Sequence, residues 1–501
     1  MKTNVNEINL HLLLANDVDR VRQIALDKLL KMIDAEQNEN LTLAKLNKLP
    51  KTTTWKNKNV FGVPLRVYQQ TTGEVLPQAI CSALQYVRLH AGKCDGLFRK
   101  PGVKSKIDRL RKQIEENSTE KIQFEDFQPF VVADVIRQYF RELPEGLIPP
   151  VLTRFLCELN KEVTPDEQIL AIRYIFLILP DENREVLENL LRFLLDVSIR
   201  SGNSQTVCRS LARIFLPSVF QSFYEIRSNS TKFLWWKRKK DKADAIEQEN
   251  ERLALEHCLM LMMINVDLLC RVPSELNDEL QLSTVKKPKN LDELIRTTCN
   301  GEFQMKKFLS IESERFLQRL ATTKFKNVPT NFDDVHLSLN KTTDLIWKCS
   351  IEIRQTNVKS VCQRLVHERF LWDDSFAESR VVEKIDDDKE IVQYVLNLLE
   401  SLPVRSFCEF RFLKKISPNS ILISSTSIDH LQNHFLPGTI GLTNQMFFYV
   451  TPSPSHPDST IVTQLVSVDF SGRSTFWYEQ VFGQILAQRL SRLRETFYRR
   501  V

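Results

Sequence analysis

Hydrophobic residues recur at helical spacing in the first half of this chain and alternate with polar residues more often in the second half. From residue 62 to 272 the apolar positions are three or four residues apart and strand-like alternation is scarce, which predicts an all-helical domain. One helix is predicted to start at Pro77, because proline is favoured in a first helical turn. Other helices are predicted from Val103 onwards, at 132–143, 166–180 and 183–199, and near 249–271.

A different pattern follows residue 290. Residues 291–325 are predicted to be helical, and a long helix at 475–498 carries an apolar stripe from Tyr478 to Phe497. The alternation between them predicts an antiparallel sheet, so the second half has an α+β fold with the last helix over the sheet. Such a fold either encloses an apolar cavity or is filled by its own side chains, and we expect a cavity on the order of hundreds of cubic ångströms. The predicted strands lie near 343–355, 379–386, 406–416, 420–429, 439–451 and 460–470.

Polar stretches divide the chain into segments. An N-terminal helix at 12–34 and a polar linker make up residues 1–56. The apolar stripe of this helix predicts either a membrane or partner helix or a helix that packs on the next domain, and acidic residues on its polar face favour packing. The helical domain is expected at 57–275, a second linker at 276–290 and the α+β domain at 291–501.

Composition narrows the classes of function. The 501 residues are 42% hydrophobic and carry a net charge of +6, which is typical of globular domains and does not indicate nucleic acid binding. Ten cysteines are scattered without close pairs, which suits reduced thiols and predicts neither a disulfide framework nor a zinc site. Neither a signal peptide nor a bilayer-spanning stretch is recognisable, so a cytoplasmic location is expected.

The candidate chemistry centres on Arg99, in the stretch Gly96-Leu97-Phe98-Arg99-Lys100-Pro101-Gly102. Leu97 and Phe98 are predicted to insert into the core, and Pro101-Gly102 to turn the chain, so that a short stiff loop holds Arg99 outwards. Arginine is always charged, and its planar fork matches phosphate oxygens. Taken alone, such a residue is more often an ordinary surface arginine, and its interpretation therefore depends on the surrounding motifs.

Four short motifs occur in order: Gly62-Val63-Pro64-Leu65, Gly96-Leu97-Phe98-Arg99-Lys100-x-Gly102, Arg141-Glu142-Leu143-Pro144 and Leu211-Ala212-x4-Pro217. Together they resemble a Rho GTPase-activating (RhoGAP) domain. The resemblance implies that the chain activates a GTP-bound Rho-family GTPase rather than being an enzyme itself, with Arg99 as the arginine finger. It also implies that Arg141 supports the finger loop and that Lys100, Arg137, Ser210 and Pro217 contact the GTPase. GTP and Mg²⁺ would belong to the partner, since the chain has no G-x-x-x-x-G-K-[ST] motif and no cofactor is expected.

Four positions depart from the family pattern. Arg137 stands where lysine is usual, Ser210 where asparagine is usual, Pro101 where serine is common, and Gly146 in place of a proline. Arg137 keeps its charge but changes its shape, and Ser210 loses the amide fork. Pro101 biases Lys100 towards an extended backbone, which either preorganises the finger or misaims it. These departures keep an alternative function open, namely a weak or inactive Rho-binding module.

A polar insert at about 221–249 contains two adjacent tryptophans and a basic run. One interpretation is a peripheral membrane contact, with aromatic rings at the head groups and cations on anionic lipid. A nuclear localisation tract is another, and a loop without a specific role is the third. The candidate membrane-contact residues are Trp235, Trp236, Lys237, Arg238, Lys239 and Lys240.

The second half resembles a START domain, a helix-grip fold that binds lipids. The stretches that carry this resemblance are His367-Glu368-Arg369-Phe370-Leu371-Trp372-Asp373, Val381–Asp386 and Ile391–Val395, followed by the long final helix. A RhoGAP domain followed directly by a START domain resembles the deleted-in-liver-cancer family of Rho regulators, which act on the actin cytoskeleton. Members of that family often carry a SAM domain and a long disordered segment upstream, so a short form or a fragment is expected here. In the alternative function, the START domain serves as a lipid-binding or partner-binding protein.

Overall fold

The computed structural model describes residues 7–32, 41–48, 59–116, 122–162, 164–202, 205–220, 242–280, 288–332, 334–341, 345–397 and 402–498. Its first part is helical and its second part is built on one antiparallel sheet, as the hydrophobic pattern predicts. Among the helices so described, none is both long enough and apolar enough to cross a bilayer.

The first part consists of helices packed around one apolar core. The sequence prediction omitted one helix, which begins directly after Gly62-Val63-Pro64. This helix ends at Gly73, where the positive φ of the glycine terminates it. The helices are α1 Ala15–Lys31, α2 Leu43–Leu46, α3 Leu65–Thr72, α4 Gln78–His90, α5 Lys104–Glu116, α6 Pro129–Glu142, α7 Pro150–Glu162, α8 Pro165–Ile178, α9 Asp181–Arg200, α10 Gln205–Val219, α11 Lys242–Ile264, α12 Val266–Leu269 and α13 Ser274–Leu280.

Helix α1 packs on the helical domain and is not a free amphipathic helix. Val18, Val21 and Leu29 are fully buried, and α1 lies against α8. The packing interpretation of residues 12–34 is therefore the correct one. The predicted linker at 276–290 is wrong at its start, because α13 continues to Leu280 and buries both Leu276 and Leu280.

The second part begins with helices α14 Leu291–Thr298 and α15 Met305–Thr322 and then forms one continuous sheet. The order of its strands is β1-β2-β3-β10-β9-β7-β6-β5-β4, and β8 pairs in parallel with β6. The sequence prediction omitted β1, β2 and β5, although Val335-His336-Leu337-Ser338-Leu339 alternates as a strand should. The strands are β1 Lys326–Val328, β2 Val335–Asn340, β3 Ile346–Arg354, β4 Phe376–Asp386, β5 Lys389–Leu396, β6 Arg405–Ser417, β7 Ser420–Ser427, β8 Thr439–Ile440, β9 Leu442–Pro452 and β10 Ser459–Asp469.

Helix α16 (Val358–His367) follows β3, and the chain ends with α17 (Thr475–Trp477), a π-helical turn (Tyr478–Phe482) and α18 (Gly483–Tyr498). Helix α18 lies on β2 and β3 and also contacts α3 of the helical domain. Its approach to the sheet is close, because a Cβ on Gly483 would lie 2.4 Å from the ring of Trp347. The predicted helix over the sheet is thus confirmed.

A buried polar interface joins the two parts where β10 runs into α17. The guanidinium of Arg473 donates to both carboxylate oxygens of Glu185 in α9, at 2.6 and 2.9 Å. Arg184 donates to the carbonyl of Gly472 at 2.7 Å, and the Ser474 N–H donates to Asp181 at 3.2 Å. The amino-terminal turns of α9 are therefore bound to the second part.

Candidate functional site

The segment Gly96–Gly102, here called the finger loop, forms a tight turn between α4 and α5. The amides of Arg99 and Lys100 both donate to the carbonyl of Gly96, at 2.9 and 3.0 Å. Gly96 has φ +76°, which glycine adopts readily, whereas Phe98 has φ +69°, which costs a non-glycine residue about 1–2 kcal/mol. Tertiary packing must therefore hold Phe98 in place.

That packing is aromatic. Phe98 is 2% exposed, and its ring lies edge-on to Phe193 of α9 and to Phe215 of α10, with centroids 6.1 and 5.1 Å away. Leu97 is buried beside it. Both residues were predicted to insert into the core, and the structure places them there. The strained backbone at Phe98 directs the next side chain, Arg99, out into solvent.

The other end of the finger loop lies against α6. A Cβ on Gly102 would be only 2.8 Å from the Cα of Val131, so a larger residue would force the loop away from the helix. At this close approach the Gly102 N–H donates to the carboxylate of Asp134 at 2.7 Å. Asp134 is 3% exposed. The sequence analysis assigned no function to Asp134.

Cationic side chains surround the finger loop. Arg137 is half-buried and forms an ion pair with Asp134, three residues earlier on α6. Lys100 is exposed, and its Nζ lies 6.0 Å from the centroid of the Phe130 ring, within reach of a cation–π contact. Arg141, one turn beyond Arg137, is exposed and forms no hydrogen bond or ion pair with a described residue.

In this structure the side chain that bonds the finger loop is Asp134, and the predicted support of the loop by Arg141 stays a prediction. Asp134 reaches the Gly102 amide because its side chain is buried where the finger loop approaches α6 closely. Arg141 projects from the end of α6 into solvent, where it is available to a partner. Ser210 and Pro217 are half-buried on α10, the helix that packs on Phe98 through Phe215.

Trp235, Trp236 and the basic run Lys237–Lys240 fall within 221–241, outside the residues that the structure describes. The membrane-contact prediction for this insert therefore stays a prediction.

One buried group in the helical domain has metal-ligating atoms close together, namely His11, Glu188 and Cys270. Glu188 already accepts from His11 at 2.9 Å and from Arg192 at 3.0 Å. Burial alone would raise the pKa of Glu188, but the hydrogen bond from His11 and the nearby charges hold it at about 2. With both carboxylate oxygens engaged by donors, we interpret the group as an ion-paired contact that fixes the N-terminal segment.

The sheet and α18 enclose a small cavity, here called the START cavity, of about 80 Å³. A cavity of about 150 Å³ accommodates benzene, so the expected cavity of hundreds of cubic ångströms is wrong for this structure. Aromatic side chains fill the space: Tyr394 stacks on Phe407 with centroids 4.9 Å apart, and Phe470 meets Phe482 at 5.5 Å.

Charged side chains also occupy this end of the second part. Arg369 and Arg489 both pair with the buried Asp373, at 2.8 and 3.3 Å. Burial would raise the pKa of Asp373, but the two arginines lower it to about 2. Tyr394 and Thr443 donate to the buried Glu409 at 2.7 and 2.6 Å. These paired groups make the wall of the START cavity partly polar.

A larger hollow of about 460 Å³, here called the interdomain cleft, lies between the ends of α3 and α4 and the face of α18. Phe470, Phe482 and Arg489 line both the START cavity and this cleft. The START cavity and the interdomain cleft therefore share part of their wall, an arrangement that the sequence did not predict.

Comparison with known protein families agrees with this architecture. The RhoGAP domain model matches residues 77–223, and the START domain model matches residues 344–500. The fold and the exposed arginine on its braced loop thus define a chain that carries a RhoGAP domain followed by a START domain.

The chain is homologous to StAR-related lipid transfer protein 13 of Homo sapiens, with 33% identity over 465 residues, covering 91% of this chain and 41% of that protein. Human Rho GTPase-activating protein 7 is 31% identical over 468 residues, covering 90% of this chain and 30% of that protein. The chain thus spans less than half the length of these relatives. The solved structure "Human StarD13 (DLC2) lipid transfer and protein localization domain" is 27% identical, with a TM-score of 0.33, and covers 37% of this chain and 95% of that structure. The predicted pairing of RhoGAP and START domains is confirmed.

Proposed function

We propose that this chain accelerates GTP hydrolysis on a Rho-family GTPase by inserting Arg99 into the GTPase active site. The observation that carries the proposal is the exposed Arg99 on a loop that is pinned by buried residues on both sides. The surrounding cations Lys100, Arg137 and Arg141 make this surface suitable for an acidic partner.

The chemistry follows from phosphoryl transfer. Water attacks the γ-phosphorus, the bond to the β–γ bridging oxygen breaks, and negative charge develops on the phosphoryl and leaving oxygens. The guanidinium of Arg99 offers planar N–H donors to those oxygens. A finger supplied in trans is worth about 10³ to 10⁵ in rate. GTP and Mg²⁺ are bound by the GTPase in this proposal, and the chain supplies no nucleotide site of its own.

The test is single-turnover hydrolysis on a GTP-loaded Rho-type GTPase with the full chain. Arg99→Ala should abolish the acceleration while leaving binding to the GTP-loaded partner largely intact, because the charge is needed in the transition state. Arg154→Ala is the matched control, since Arg154 is an exposed arginine on α7, a helix that packs against α8 and α11. Full activity of Arg99→Ala would reject the finger assignment. Binding of the GTPase by wild-type chain without acceleration would favour the inactive Rho-binding module instead.

A second candidate function is the binding of a lipid or another amphiphile by the START domain. The observation that favours it is the 460 Å³ interdomain cleft, which has the volume of an ordinary ligand site and shares Phe470, Phe482 and Arg489 with the START cavity. An apolar group would lie against Phe470 and Phe482, and a polar group would lie in the cleft near Arg489. Native mass spectrometry of the full chain against a mixed-lipid panel tests this function, and a chain that takes up no lipid would reject it.

We also propose a cytoplasmic protein that contacts membranes peripherally through the 221–249 insert. Support comes from the sequence alone, namely the Trp235-Trp236 pair beside Lys237–Lys240. Co-sedimentation with phosphatidylserine vesicles should fall when both tryptophans are replaced by serine. Unchanged binding would contradict this contact.

A further inference from the structure

Asp134 is a buried acid placed between the two elements that the proposed function uses. It lies on α6 among the fully buried side chains of Val131, Val132 and Val135. A carboxylate in such surroundings is costly unless donors satisfy it. Its two oxygens are divided between two partners: Oδ2 accepts from the Gly102 amide at 2.7 Å, and Oδ1 accepts from the guanidinium of Arg137.

The chemistry of the finger loop explains why the donor is Gly102. The Arg99 and Lys100 amides are already used by the carbonyl of Gly96, and Pro101 has no N–H. Gly102 is thus the next residue that can donate, and without a Cβ it can approach α6 closely enough to do so. The finger loop is consequently anchored on both sides of Arg99, by the buried Phe98 before it and by the hydrogen bond from Gly102 to Asp134 after it.

We propose that Asp134 is a positioning residue that both aims Arg99 and orients Arg137. This inference rests on the proposed GTPase-activating function and extends it. Asp134 acts on Arg99 through the Gly102 amide, three residues further along the chain. It acts on Arg137 through the ion pair, which fixes one edge of the guanidinium and leaves its other donors facing solvent. One carboxylate therefore sets the relative position of the finger and of a docking arginine.

The two functions of Asp134 predict different kinetic effects for different replacements. Asp134→Ala removes the acceptor of the Gly102 amide, so the finger loop loses its anchor after Arg99 and the rate at saturating chain should fall by about 10- to 100-fold, as expected for a misplacement near 1 Å. Asp134→Asn retains an oxygen for the Gly102 amide but has no charge for Arg137. Its saturating rate should stay within about 3-fold of wild type, while its half-saturating concentration rises as much as in Arg137→Ala.

The experiment measures single-turnover GTP hydrolysis on a Rho-type GTPase over a range of full-chain concentrations, with melting temperatures for every variant. The matched control is Glu115→Ala, which removes another carboxylate that holds loop amides, those of Asn59 and Phe61 at 3.0 and 3.1 Å. Glu115→Ala should loosen that loop in a general way. The melting temperature of this variant should therefore fall, while its saturating rate stays at the wild-type value. In an Arg99→Ala background, Asp134→Ala should cause no further loss of rate, because the side chain that Asp134 positions is already absent.

Three results would overturn the inference. The first is a wild-type saturating rate in Asp134→Ala. The second is an equal fractional loss from Asp134→Ala with and without Arg99, which would point to general damage. The third is an Asp134→Asn chain that folds yet loses saturating rate as fully as Asp134→Ala. Failure of the proposed function gives a separate result, since wild type and Arg99→Ala would then be equally inactive.

Discussion

Replacing Arg473 by alanine should destabilise the whole chain, because it leaves Glu185 buried without its partner. The side chains of Arg473 and Glu185 are 2% and 3% exposed and share two hydrogen bonds. The guanidinium also lies 4.0 Å above the ring of Trp477. Removing one member of a buried ion pair typically costs about 3–5 kcal/mol, so we expect a loss of that size in the free energy of unfolding.

Urea unfolding followed by tryptophan fluorescence measures this effect, since Trp477 lies in the interface. If the two domains unfold together, wild type should show one transition and Arg473→Ala the same transition at lower urea. The control is Arg494→Ala, which breaks an ion pair with the exposed Asp334 and should cost less than about 1 kcal/mol. A double replacement, Arg473→Met with Glu185→Gln, should recover part of the loss because neither member of the pair is then buried as an unpaired charge.

A loss below about 1 kcal/mol in Arg473→Ala would refute the reasoning. It would mean that Glu185 reaches water in the variant, and hence that the interface between α9 and the segment after β10 opens readily in solution.

Four further outcomes follow from the site. Arg137→Ala should raise the half-saturating concentration of the chain in the hydrolysis assay, with little loss of rate at saturation; an equal loss at every concentration would give Arg137 a catalytic function instead. Arg141→Ala should leave the melting temperature unchanged, because this side chain is exposed, and a fall of several degrees would indicate that Arg141 does support the finger loop. Gly102→Ala should lower the saturating rate about 10-fold by moving the loop off Val131, and an unchanged rate would contradict that close packing. Burial raises the pKa of Glu145 from 4.5 to about 7, so the folded state holds this proton more tightly and stability should fall as pH rises through that range. In thermal unfolding between pH 5 and pH 8, Glu145→Gln should reduce the dependence of the melting temperature on pH. An unaltered pH profile would contradict the assignment of this dependence to Glu145.

The sequence by itself determined the features that depend on neighbouring residues. The order of Leu97, Phe98 and Arg99 before Pro101-Gly102 predicts an exposed arginine on a short anchored loop, because two apolar residues and a turn signal suffice to define it. The spacing of apolar residues predicts the helices and the long C-terminal helix in the same local way.

Only the tertiary structure decided which distant charges neutralise each other. Glu185 and Arg473 are separated by 288 positions, and the charged start of α9 is buried because the segment after β10 supplies its partners. Asp134 supports Gly102 from 32 positions away, so the motif that contains Arg141 gave no sign of it. A charged residue is ordinarily predicted to be exposed. Its burial depends on a partner that chain folding brings close, and periodicity along the sequence carries no information about that partner.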